Sequence, residues 1–184
     1  MIEIKEAITK KDMLTFVKFP FNLYKDSKYW VPPIISQELD TFDKKKNPIF
    51  NDAEARFFLA YKNNEVVGRV AAIINWLEVK NQSQKKMRFG WFDVIDNVEV
   101  TKALLDKVFE IGKANNLEYV EGPVGFSNLD KVGLMTEGYE HLGNMITWYN
   151  YPYYVDHFAE LGFKDEKLYS ESRFPFKNVK PEFF

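Results

Sequence analysis

The sequence has no cysteine, which removes disulfides, thiolate metal sites and a cysteine nucleophile in one step. Its only histidines, His141 and His157, are too few for a histidine-rich metal centre, and no metal is expected. No window approaches the roughly 18 consecutive apolar residues of a membrane span, and the first residues, Met-Ile-Glu-Ile-Lys-Glu-Ala, lack the apolar core of a signal peptide. Charge of one sign is missing too: 25 Lys and Arg stand against 27 Asp and Glu, a net charge of −2. No basic field exists to hold a polyanion, and the short run Lys44-Lys45-Lys46 sits beside Asp40 and Asp43 as a solvated loop. Repeats and low-complexity segments are absent. The expectation is a soluble cytoplasmic protein with neither a nucleic acid nor a membrane as partner.

What is present is apolar and aromatic bulk. With 46% hydrophobic and 17% aromatic residues over 184 positions, the chain can bury a substantial core and fits one domain. Residues 2–8 read as a strand, and Thr9 is placed to cap a helix over 10–24 with Met13, Phe16, Val17 and Phe21 on its buried stripe. Pro20 is expected to kink or divide that helix. Trp30-Val31-Pro32-Pro33 forces extended backbone, and Ile34, Ile35 and Leu39 mark a second amphipathic piece. Residues 56–62 and 66–75 form a hairpin turning at Asn63-Asn64, and 87–95 is another strand. Asp96 and Glu99 have capping-box spacing ahead of a helix through residue 115, with Val100, Leu104, Val108 and Ile111 on one face. A short strand over 118–121, a helix over 153–161 ended by Gly162, and a long final strand or pair over 163–176 complete the order. This order predicts an α+β fold, mixed in the α/β sense, with one twisted sheet flanked by helices over residues 1–176; residues 177–184 read as a linker or C-terminal tail that stops abruptly.

Three segments carry a resemblance: Gly122-Pro-Val-Gly-Phe-Ser127, Tyr149-Asn-Tyr-Pro-Tyr-Tyr154 and His157-Phe-Ala-Glu-Leu-Gly-Phe163. The last looks like the helix-to-strand corner of the GNAT superfamily of acyl-CoA-dependent N-acyltransferases, and the element order matches that family over essentially the whole chain. Together with Trp30-Val-Pro-Pro33 and the Phe-Gly-Trp-x-Asp of residues 89–93, the segments resemble the N-terminal half of bacterial proteins built from two tandem GNAT-like domains. The resemblance implies a central twisted mixed sheet, and acetyl-CoA or another acyl-CoA as cofactor. As partner it implies a second GNAT-like domain, with a homo-oligomer as the other arrangement.

The resemblance also implies where chemistry belongs, and this sequence departs from it there. The family binds the acyl-CoA pyrophosphate at the turn between the central strand and the long helix, where glycines turn backbone donors toward phosphate. When Lys102-Ala-Leu-Leu105 is laid on the family's usual helix start, the motif's basic residue falls on Asp96 and its later glycines on Glu99 and Thr101. Asp93, Asp96 and Glu99 would repel a diphosphate, each close pair costing on the order of 4 kcal/mol at an effective dielectric near 20. The tyrosine that serves many members as acid for the CoA thiolate is replaced by Phe158, which has no proton to give; Tyr153 and Tyr154 lie about a turn earlier as substitutes, or as packing aromatics. For a base, Glu121, Asp130, Glu137 and His157 are candidates without a diagnostic spacing.

A substrate site is expected around Gly122, Gly125, Phe126, Ser127 and Asp130, with Tyr149 and Tyr151 as aromatic walls for a small-molecule or peptide ligand. A tight loop with Phe126 packed inward is the competing reading, and the tyrosines either face this loop or form an outward patch. The leading functional expectation is a GNAT-like domain with a degenerate acyl-CoA loop, the substrate-binding or structural half of a larger acyltransferase-like protein. The alternative is an active N-acyltransferase with a non-standard CoA site that uses Tyr153, Tyr154 and Glu121.

Overall fold

In the computed structural model, residues 1–127, 129–144, 146–173 and 175 are described. The elements in chain order are β1 (Ile2–Glu6), α1 (Lys10–Leu23), α2 (Ile35–Phe42), a single 3-10 turn (Pro48–Asn51), β2 (Ala53–Lys62), β3 (Glu65–Asn75), α3 (Trp76–Asn81), β4 (Lys86–Val94), α4 (Val98–Ala114), β5 (Tyr119–Glu121) and α5 (Tyr153–Glu160). Among the described residues the sheet runs β1-β2-β3-β4-β5, antiparallel except for the parallel pair β4 and β5. No described helix is long and apolar enough to cross a membrane.

Both faces of the sheet are covered, which is why β3 and β4 read as nearly continuous apolar runs. On one face Met87, Phe89, Phe92 and Val94 pack with Val100, Leu104 and Val108 of α4 and with Tyr154 and Phe158 of α5. On the other, Phe57, Leu59, Ala71 and Trp91 pack with Phe16 and Val17 of α1 and Phe42 of α2. A bulge in β4 links the two layers. Asp93 pairs with Arg69 but Gly90 pairs with Ala71, so Val70 faces two residues, Trp91 and Phe92. Trp91 takes φ 44°, a left-handed backbone that costs a bulky residue on the order of 1–3 kcal/mol. The bulge shifts the alternation of β4 by one residue, and Asp93 thereby lands on the α1 face.

The capping box at Thr9 forms as its sequence predicts: the Asp12 amide donates to Thr9 Oγ1 at 3.1 Å and the Thr9 amide to Asp12 Oδ2 at 2.9 Å. Pro20 does not divide α1, which continues to Leu23. A proline at this position leaves the carbonyl four residues earlier without its helical donor, and Arg69 Nη1 supplies one, donating to the Phe16 carbonyl at 2.9 Å.

Two further expectations are corrected. Asp96 and Glu99 do not form a box; Asn97 is the N-cap of α4, its Oδ1 accepting the Glu99 amide at 3.0 Å, because Asp96 is drawn to His157 instead. The long strand expected over 163–176 is absent: described residues 163–173 form no strand, and residues 174 and 176 lie outside the described residues, as does the tail 177–184. Residues 163–173 begin well enough, with Phe163 packed on Phe158 and Phe109, but Lys164, Asp165, Glu166 and Lys167 then offer no apolar alternation to bury against a sheet.

Candidate functional site

The end of β4 and the start of α4 are enclosed by α5. Tyr154 is buried, and its hydroxyl accepts the Val94 amide at 2.8 Å. Tyr153 Oη donates to the Val94 carbonyl at 2.7 Å. Neighbouring side chains of one helix therefore satisfy both backbone polar groups of the last residue of β4. Tyr24, arriving from the C-cap of α1, donates to Asp93 Oδ1 at 2.8 Å and lies 3.0 Å from Tyr154 Oη. Since the Tyr24 proton is directed at the carboxylate, the Tyr154 proton goes to the Tyr24 oxygen. Arg69 closes the array, its Nε 2.7 Å from Asp93 Oδ2.

Burial pushes the Tyr24 and Tyr154 phenols well above the ordinary range, and the nearby Asp93 carboxylate adds to the effect. Burial also raises Tyr153, with Asp96 and Asp93 contributing. All three stay neutral at physiological pH, with their protons committed to protein oxygens.

The turn at residues 95–97 is held from the same helix. His157 is buried rather than a surface residue: its Nδ1 lies 2.9 Å from Thr101 Oγ1 and its Nε2 3.2 Å from Asp96 Oδ1. The sidedness follows from helical spacing, since His157 sits one turn beyond Tyr153 and packs against it in a tilted arrangement, ring centroids 5.3 Å apart. Asn97 holds the α4 amides, its side chain taking Glu99 and its carbonyl taking Val100 and Thr101. Phe158, at the position where the family resemblance expects an acid, stacks on Phe89 at 5.9 Å in the core.

The other expected residues fall elsewhere. Glu121 pairs with Lys86 Nζ at 2.7 Å and sits opposite Arg88 at the start of β4. From there to Val94 is six residues, roughly 15–20 Å of strand. The three residues named for catalysis, Tyr153, Tyr154 and Glu121, are thus not brought together. Glu137 is exposed.

The glycine-rich loop takes the inward-packed form. Phe126 is buried against Phe50 and Trp91. Asp130 Oδ2 accepts the Ser127 amide at 2.8 Å, so Ser127 and Asp130 close on each other. A methyl group on Gly122 would lie 2.5 Å from the Phe89 carbonyl oxygen, and one on Gly125 2.4 Å from Asp130 Cβ; both glycines are there for close approach. Asn128 lies outside the described residues.

Tyr149 and Tyr151 turn toward α1 rather than outward. Ser27 Oγ donates to Tyr149 Oη at 2.9 Å, Tyr151 Oη donates to the Leu23 carbonyl at 3.3 Å, and both rings pack on Tyr24. Sequence reasoning missed the pairing of Arg69 with Asp93. Its signal was available: a charged residue inside each of two apolar strands requires a partner once both are buried.

No family model matches the chain. Two curated proteins do: YghO of Escherichia coli K12, 26% identical over 160 residues, 87% of this chain and 41% of its own length, and the bacterial ceramide synthase of Caulobacter vibrioides, 26% identical over 133 residues, 72% of this chain and 35% of its own. The chain therefore spans about two-fifths or less of the length of these relatives. Among solved structures, a predicted acetyltransferase of Clostridium acetobutylicum with acetyl-CoA matches with TM-score 0.55 and 13% identity, covering 94% of this chain and 96% of its own. An aminoglycoside acetyltransferase from a soil metagenome, in complex with sisomicin, gives TM-score 0.55 and 13% identity over 95% and 96%. A transcriptional regulator from Bacillus halodurans gives 0.55 and 14% over 95% and 100%. The fold is that of the GNAT acetyltransferases, a mixed sheet flanked by helices.

Proposed function

We propose that this chain is a GNAT-fold domain whose own acyl-CoA turn is degenerate, and that it serves as the substrate-binding or structural half of a larger N-acyltransferase. One observation carries the reading: Tyr153 and Tyr154 occupy both backbone groups of Val94, at the strand end where this fold would present backbone to acyl-CoA. Beyond it, where pyrophosphate would lie, stands Asp96 fixed by His157, with Glu99 in the first turn of the helix. Backbone donors already in use and added carboxylates both oppose a dianionic ligand.

The likeness to a ceramide synthase supports the reaction class. A ceramide is an amide, so such an enzyme joins an acyl group to an amine, and the same class is proposed for the larger protein of which this domain would be part. Its remaining length leaves room for the half that holds the cofactor.

Calorimetric titration of the purified chain with acetyl-CoA and with a long-chain acyl-CoA, at low and moderate salt, tests the proposal. The expected result is no saturable heat and no thermal stabilisation. Saturable micromolar binding overturns it in favour of an enzyme with a non-standard CoA site.

A further inference from the structure

A polar pocket with a volume of about 40 Å³ lies at the β4 bulge, on the face of the sheet opposite α5. Glu38 of α2, Arg69 and Asp93 of the sheet, and Lys131 and Trp148 of the long loop line it. Arg69 and Asp93 satisfy each other there. The remaining three residues do not.

Lys131 Nζ makes no hydrogen bond and no ion pair among the described residues; it lies over the Trp148 ring, 5.5 Å from Nζ to centroid. Trp148 Nε1 is buried and has no acceptor among the described residues. Lys131 thus brings unused donors to this space, while the indole nitrogen is sealed from solvent and Trp148 lends its ring. Glu38 offers the complement. Its Oε2 accepts from Trp91 Nε1 at 2.8 Å, the one hydrogen bond of this carboxylate among the described residues, so acceptor capacity remains on it. Burial pushes the Lys131 ammonium below the ordinary lysine range, while Glu38 and Asp93 pull the other way.

Charge narrows the occupant. Two cations and two carboxylates leave the pocket neutral, so a ligand carrying one charge would be left uncompensated, whereas one carrying both would not.

We propose that this pocket binds a small zwitterion, the amino and carboxylate groups of an α-amino acid, with the carboxylate on Lys131 and the ammonium on Glu38. The inference rests on the reading of this domain as one that binds substrate. It does not rest on the closed turn at Val94, which the acyl-CoA titration tests separately.

Glycine is the probe, with acetate and ethylamine as its two halves. The readout is the indole N–H resonances of the four tryptophans by NMR, Trp148 being assigned through the Trp148→Phe variant. Glycine titrated to about 100 mM is expected to move the Trp148 and Trp91 indole signals saturably, more tightly than either half molecule. Lys131→Met is expected to weaken glycine at least about tenfold, as loss of a charge-assisted hydrogen bond would. Glu38→Gln keeps an oxygen for Trp91 and is expected to weaken glycine while leaving acetate unchanged. An immobile Trp148 signal overturns the site, as does a Lys131→Met protein, folded by its circular dichroism, that titrates like the parent. Acetate binding as tightly as glycine overturns the zwitterion and leaves a simple anion site.

Discussion

The hydroxyl of Tyr154 accepts the amide of Val94 at 2.8 Å, and through it a helix from the far end of the chain completes the hydrogen bonding of the central strand. A fold otherwise shared with acetyltransferases is here closed by its own side chains at the strand end. The same hydroxyl reaches Tyr24 and, through it, Asp93, so the closure is continuous with the buried charge pair.

Replacing Tyr154 with Phe leaves the Val94 amide buried without an acceptor. A loss of about 1–3 kcal/mol is expected, read from urea denaturation midpoints at constant slope. Tyr153→Phe leaves only a carbonyl short of a donor and is expected to cost less. Equal losses would show that the two hydroxyls are equivalent and that the amide is satisfied in some other way.

Arg69→Met strips Asp93 of its buried counter-ion and the Phe16 carbonyl of its donor, and a loss of about 3–5 kcal/mol is expected. Part of that loss belongs to Pro20. In a Pro20→Ala background the helix regains an amide facing Phe16, so Arg69→Met is expected to cost about 1 kcal/mol less than in the parent. A double-mutant cycle by chemical denaturation measures the coupling, and strict additivity would mean that Arg69 does not stand in for the missing amide.

At the head of α4 the cap is Asn97, not the Asp96 and Glu99 box that spacing predicts. Asn97→Ala is expected to cost about 1 kcal/mol, while Glu99→Ala stays within about 0.5 kcal/mol. Thermal denaturation of the two variants distinguishes the assignments, and the reverse ranking would restore the box.

The buried tyrosines make stability fall at alkaline pH. Tyr24 and Tyr154 have folded pKa values raised well above the ordinary 10.0, so the unfolded chain gives up these protons first. The stabilisation from keeping the phenols neutral is complete below that value and is lost as pH rises through and beyond it. Denaturant midpoints measured from neutral to strongly alkaline pH are expected to decline above pH 10.0, and the ultraviolet signal of phenolate from these residues is expected only with unfolding. A Tyr24→Phe, Tyr154→Phe protein is expected to show a shallower decline.

Much of the fold was legible in the residues themselves. The Thr9 box, the Asn63-Asn64 hairpin and the single apolar face of α4 are local patterns, and each forms with boundaries shifted by three residues at most. The misreadings were of another kind. Asp96 had the spacing of a cap, but His157, 61 positions away, was the competing partner. Pro20 had the chemistry of a helix breaker, but a guanidinium from β3 supplied the donor it lacks. The segment after Gly162 opens with an apolar residue, as strands do, yet described residues 163–173 pair with no strand.

The candidate site divides in the same way. Composition excluded cysteine chemistry and a polyanion field, and the substitution of Asp96 and Glu99 for a basic residue and a glycine already argued against a diphosphate at the turn. Those are statements about which groups exist, and a sequence determines them completely. Which face of the tyrosine cluster points inward, and that Lys131, Trp148 and Glu38 line one pocket, was decided by the bulge at Trp91 and by the packing of α5 across β4. Such placements depend on long-range contacts, whose partners are chosen by how whole layers pack and not by the spacing of neighbours along the chain.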